Sequence, residues 1–124
     1  MIRKRILIAD DEELIRTIVR LALRNAYEIS EAADGEEAWQ RLIMAAPEFD
    51  LLILDWNMPL LSGQELLERI LGRDPNAKIL LLSGRPDCPV EPHVQVRLMH
   101  KPFDNSELAA TVAEIGRASC RERV

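Results

Sequence analysis

Residues 6–14 read ILIADDEEL: four consecutive apolar residues run straight into four consecutive acids. The short, unbroken apolar run Ile6–Ala9 is the pattern of a strand covered on both faces. Such strands belong to parallel sheets flanked by helices, so this one stretch points to an α/β fold. The acids pose the chemical question. Two carboxylates about 4 Å apart repel by roughly 4 kcal/mol at an effective dielectric of about 20. Asp10, Asp11, Glu12 and Glu13 therefore either open a helix facing water or surround something positive.

Working outward, Leu14, Ile15, Ile18, Val19 and Ala22 recur at helical spacing between Glu13 and Arg24, which predicts a core-facing helix. Arg16, Arg20 and Arg24 form a separate stripe on it. Tyr27–Ala32 reads as a second strand. Asp34 and Glu37 are placed to cap a helix that stops before Pro47. Leu51–Leu54 is a third, buried strand. Ser62 and Glu65 have capping-box spacing ahead of Leu66, Leu67, Ile70 and Leu71, with Gly72 expected as the stop. Ile79–Leu82 and Val94–Met99 supply the fourth and fifth strands. A last helix follows Asp104, capped with Glu107 and turning Leu108, Val112 and Ile115 inward. Strands alternating with helices predict a parallel sheet with right-handed crossovers, whose ligands bind at the carboxyl ends of the strands.

Composition narrows the function classes. With 124 residues, 48% hydrophobic and 30% charged, the chain has the balance of one globular domain, expected over residues 1–115. A net charge of −5 disfavours nonspecific attraction to nucleic acid or anionic membrane. Cys88 and Cys120 show neither metal-like spacing nor a disulfide framework. MIRKRILIADDEEL begins like a signal peptide, but its apolar run is too short and ends in acids. No stretch is long enough to cross a bilayer. A soluble cytoplasmic domain is expected.

The residues that follow the strands carry the chemistry: Asp10 and Asp11, Asp55, Ser83, and Lys101-Pro102. Singly, each has a plain explanation as a helix cap, a turn residue, a loop serine or a surface lysine. Together, at four strand ends, they predict three carboxylates, a hydroxyl and an ammonium in one cleft. Hard oxygen ligands with room for water and a phosphate suit Mg²⁺. Such an ion would offset the repulsion among Asp10, Asp11 and Asp55 and shield a carboxylate nucleophile from an incoming phosphoryl group.

Four segments, ILIADDEE, DLLILDWNMPLLSGQELL, ILLLSG and LMHKPF, resemble in order and spacing the receiver domain of two-component response regulators. DWNMP is close to the chemotaxis-type single-domain regulators. The resemblance implies a flavodoxin-like (βα)5 sandwich with a five-stranded sheet in the order 2-1-3-4-5. It implies that Asp55 accepts a phosphoryl group from a phosphohistidine on a histidine kinase or phosphotransfer protein. Asp11, Asp55 and the backbone carbonyl of Asn57 would bind Mg²⁺, and Asp10 would act through water. Lys101 would pair with one phosphoryl oxygen and Ser83 with another, beside the small Gly84. Lys101-Pro102 would be cis. Asn57 and Arg85 match positions that tune hydrolysis, and Ile15 with the loop around Pro102-Phe103 matches the kinase-docking surface. Such a protein is a phosphoacceptor that assists its own phosphorylation and dephosphorylation, not an enzyme with a separate substrate. Its output would pass to a downstream protein or to a lost output domain.

The chain departs from that pattern in three places. Pro86, Pro89 and Pro92 fall where the fourth helix of the fold belongs, and each costs about 3 kcal/mol inside a helix, so that helix is expected to be short or irregular. Leu98 stands where a switching aromatic ring is common. The ending EIGRASCRERV turns arginine-rich and back-translates to something like sequencing-adapter read-through. Residues from about Glu114 onward are therefore expected to be non-native, with 116–124 a tail outside the domain. Trp56 and Met58 are expected to be partly exposed beside the cleft, and His100 to be packed within its strand. The alternative function is a degenerate receiver that binds partners without phosphorylation. A flavodoxin fails because its flavin phosphate would meet Asp10–Glu13. A haloacid-dehalogenase-type phosphatase fails because Asn57 stands where a second aspartate is required. No basic stripe supports DNA binding.

Overall fold

Successive side chains of a strand point to opposite faces, so unbroken apolar runs must be covered twice. The computed structural model shows this arrangement over the residues it describes: 3–45, 48–58, 60–84 and 96–121, with 117–121 as backbone alone. Strands β1 (Lys4–Ala9), β2 (Tyr27–Ala32), β3 (Leu51–Asp55), β4 (Ile79–Ser83) and β5 (Val96–His100) form one sheet in the order β2-β1-β3-β4-β5. Every pairing is parallel. The described helices are α1 (Glu13–Leu23), α2 (Gly35–Met44), α3 (Gly63–Arg73) and α4 (Asn105–Arg121). The expected fold class and strand order hold.

Alternation divides the core into two layers. Leu7, Ala9, Leu52, Leu54 and Leu81 pack with Ala38 of α2 and with Leu66, Leu67 and Ile70 of α3. Ile6, Ile8, Leu51, Ile53, Leu80 and Leu82 pack on the other face with Val19 and Leu23 of α1 and with Leu108, Val112 and Ile115 of α4. The register Ile8↔Ile53 and Ile53↔Leu80 keeps each face continuous across the sheet. Chain reversal at β1, whose neighbours β2 and β3 lie on opposite sides, opens the crevice where such sheets hold ligands.

The caps behave as the sequence predicts. Asp34 Oδ1 accepts from Glu37 N at 2.8 Å, and Glu37 returns to Ala33 N at 2.6 Å. Ser62 and Glu65 form the reciprocal capping box. Asp104 Oδ1 accepts from Glu107 N at 2.7 Å.

Three expectations change. Gly72 does not stop α3: the helix continues to Arg73, and Asp74, in extended geometry, turns the chain out while its N–H returns to Ile70 O at 2.8 Å. Leu14, in the first turn of α1, is 69% exposed, and the buried residues of that helix are Val19 and Leu23. His100, the last residue of β5, is exposed rather than packed. The proline-bearing segment and Arg85 lie outside the described residues. α4 runs through Gly116 to Arg121, so its backbone marks no break at 115.

Candidate functional site

Asp10 follows the last residue of β1, and its backbone is held on both sides. Its N–H donates to Ala32 O at 3.2 Å, and its carbonyl accepts from Arg16 Nη1 at 2.7 Å. Asp10 Oδ1 also accepts from Glu12 N at 2.9 Å, which fixes the turn into α1. Asp55 ends β3, where Leu82 of β4 is its partner in register. The loop beyond folds back tightly: Gly63 N donates to Trp56 O at 3.0 Å, and a Cβ on Gly63 would lie 2.5 Å from Asp55 O. Lys101 leaves β5 with its N–H on Ser83 O at 2.7 Å, and the Lys101-Pro102 bond is cis, as expected.

These elements bring the predicted residues together. Carboxylate oxygens of Asp10, Asp11 and Asp55 all lie within 4.8 Å of one another. Lys101 Nζ sits 3.1 Å from Asp10 Oδ2, 3.3 Å from Asp55 Oδ1 and 3.5 Å from Glu12 Oε1. Asp10 is 0% and Asp55 4% exposed, whereas Asp11 opens to solvent. Asn57 N donates to Asp55 Oδ1 at a long 3.4 Å. Ser83 is buried at the end of β4, the strand beside β3.

Burial dominates the electrostatics of this cluster, and Lys101 only partly opposes it. Burial, and then the charge of Asp10, push the Asp55 carboxyl up from 3.8 to about 6, against the pull of Lys101. Burial also raises Asp10, although the Glu12 N–H and Lys101 oppose it. For Lys101, burial works to lower the pKa, but the carboxylates of Asp10 and Asp55 outweigh it and hold the ammonium above its ordinary value. Three converging oxygen donors, one facing water, fit a hard divalent cation and not a soft one.

Two side chains near the cleft differ from expectation. Trp56 and Met58 are each only 8% exposed, because the loop they belong to turns inward and places them in the buried cluster with Ala38, Leu61 and Leu66. Leu98 is half-buried against the same layer. Ile15 and Phe103 are half-buried against the opposite one. Sequence reasoning missed the reach of Glu12 to Lys101 and of Arg16 to the Asp10 carbonyl. The arginine stripe on α1 was visible, but its target was not.

Comparison with known proteins agrees with this geometry. The family model of the response regulator receiver domain matches residues 6–113. A two-component response regulator of rice, ORR41, is 39% identical over 83 residues, 64% of this chain and 65% of that protein. The alkaline phosphatase synthesis transcriptional regulatory protein PhoP of Bacillus subtilis is 34% identical over 122 residues, 94% of this chain but 50% of that protein. The chain thus spans about half to two thirds of these relatives' length. Among solved structures, a CheY-like receiver domain from Methanospirillum hungatei superposes with a TM-score of 0.85 at 26% identity, covering 98% of this chain and 99% of that one. TrrA from Thermotoga maritima, in complex with Mg²⁺-BeF, does so with a TM-score of 0.80 at 34% identity, covering 90% and 98%.

Proposed function

Since the chain belongs to the response regulator receiver domain family, we propose that it is a phosphorelay switch whose phosphoacceptor is Asp55. The supporting observation is the convergence of the Asp10, Asp11 and Asp55 carboxylates within 4.8 Å, with Lys101, which follows β5, paired to Asp10 and Asp55. An Asp55 oxygen attacks the phosphorus of a phosphohistidine on a histidine kinase or phosphotransfer protein. The new O–P bond forms as the P–N bond breaks, the imidazole leaves and takes up a proton, and Asp55 becomes an acyl phosphate.

Asp11, Asp55 and the carbonyl of Asn57 would hold Mg²⁺, with Asp10 acting through water; that the Thermotoga relative forms a complex with Mg²⁺-BeF supports the choice of ion. Bound there, the ion supplies positive charge to the phosphoryl oxygens. Lys101, already 3.3 Å from Asp55, pairs with one of those oxygens, and the Ser83 hydroxyl donates to another. The chain's own groups thus orient the acceptor and spread the developing charge. It acts on itself and turns over no separate substrate.

Ile15 and the Pro102-Phe103 loop form the docking surface for the phosphodonor. A downstream protein or an output domain outside this chain receives the signal, without direct nucleic acid contact. No described helix is long and apolar enough to cross a membrane, and we place the domain in the cytoplasm with its kinase. We also propose that the domain ends near residue 115, so that 116–124 lie outside it. The same codons in intact genomic DNA would overturn the reading of this tail as non-native. Intact-mass measurement after incubation with acetyl phosphate and Mg²⁺ tests the main reading. One phosphoryl adduct, lost with EDTA and in Asp55→Asn, supports it. An unlabelled wild-type protein that still binds its partners would favour a phosphorylation-independent module.

A further inference from the structure

Arg16 lies on α1, outside the cluster of acids, yet it is tied to their backbone. Its side chain is 16% exposed; Nη1 donates to the carbonyl of Asp10 at 2.7 Å, and Nε donates to Glu31 Oε1 at 3.3 Å. The other oxygen of Glu31 takes Arg20 Nη1 at 2.6 Å. Glu31 adjoins Ala32 on β2, and the Ala32 carbonyl accepts the N–H of the same Asp10 at 3.2 Å. The result is a closed circuit. Asp10 N is held by β2, Asp10 O by Arg16, and Arg16 by the neighbouring residue of β2.

We propose that Arg16 is a positioning residue of the acidic centre: its guanidinium bridges the Asp10 carbonyl and the Glu31 carboxylate, and so holds Asp10 and Asp11 aimed into the cleft for Mg²⁺. This rests on the reading that the cleft binds Mg²⁺. A guanidinium suits the task because its donors lie in a rigid plane and can serve two acceptors at once. An ammonium at the same place reaches one acceptor well and cannot hold both in fixed geometry.

Charge and position make opposite predictions, so they can be told apart. As a bare positive charge beside the acids, Arg16 repels Mg²⁺. Arg16→Gln would then tighten Mg²⁺ binding, and Arg16→Lys would leave it unchanged. As a positioning residue, both substitutions weaken it, by about tenfold or more, the scale on which groups behind metal ligands act.

Mg²⁺ titration of intrinsic fluorescence reports the affinity, since Trp56 directly follows Asp55, and thermal unfolding in EDTA reports folding separately. Weaker binding in both folded variants, beyond any change in melting temperature, is the expected result. Unchanged affinity in Arg16→Lys, with tighter or unchanged binding in Arg16→Gln, overturns the proposal. If Arg16→Gln does not fold, Arg16→Lys alone decides on the same criterion. A wild-type protein blind to Mg²⁺ would instead refute the underlying reading of the cleft.

Discussion

At the residue scale, Asp55 is placed where burial opposes its charge. A carboxyl whose pKa rises on folding holds its proton more tightly in the native state. Its contribution to stability is therefore fully present below the unfolded value of 3.8 and is lost as pH rises through about 6. Metal-free protein should lose stability over that window. Asp55→Asn, which removes the charge, should be more stable than wild type at pH 7 by on the order of 2 kcal/mol. Urea unfolding in EDTA checks this, and the advantage should fade as pH falls toward 4. Leu60 carries a second cost, at the surface. It takes a positive φ of 69° while 79% exposed, so its side chain contributes little packing to set against the backbone strain. Leu60→Asn, which tolerates that geometry, should raise stability by about 0.5–1 kcal/mol in the same assay.

At the scale of elements, two glycines on α3 have opposite roles. A Cβ on Gly63 would lie 2.5 Å from Asp55 O and 2.6 Å from Trp56 Cα, both backbone atoms that cannot move without shifting the end of β3. Gly63→Ala should cost more than about 2 kcal/mol and slow acetyl-phosphate labelling of whatever remains folded. A Cβ on Gly72 meets nothing within 4 Å, and the residue lies inside the helix. Gly72→Ala should therefore stabilise by about 0.5 kcal/mol, with labelling unchanged. This contrast also shows where sequence patterns run out. The capping boxes, strand runs and inward face of α4 were legible because they rest on neighbours in the chain, as was the inward face of α1 beyond Leu14. Gly72 was misread as a stop because a glycine near a helix end signals one only when the backbone there turns left-handed. The burial of Trp56 and Met58 was not legible either, since it depends on Gly63 letting the loop close onto β3.

At the scale of the whole molecule, the acid cluster was readable from sequence because a parallel sheet necessarily gathers the residues that follow its strands at one edge. Asp10, Asp11, Asp55 and Lys101 fall together for that reason, although 91 residues separate Asp10 from Lys101. The contacts of Glu12 and Arg16 were not readable, because long side chains on the first turns of a helix can reach several targets and only the folded geometry selects one. The central claim is that this gathered chemistry makes an acyl phosphate on one particular carboxylate. Borohydride reduces the carbonyl carbon of an acyl phosphate to an alcohol with release of phosphate, turning an aspartyl phosphate into homoserine. After labelling with acetyl phosphate and Mg²⁺, peptide mapping of the reduced protein should find homoserine at position 55 and nowhere else. Homoserine at position 10 or 11, or an adduct that resists reduction and maps to another side chain, would contradict the account.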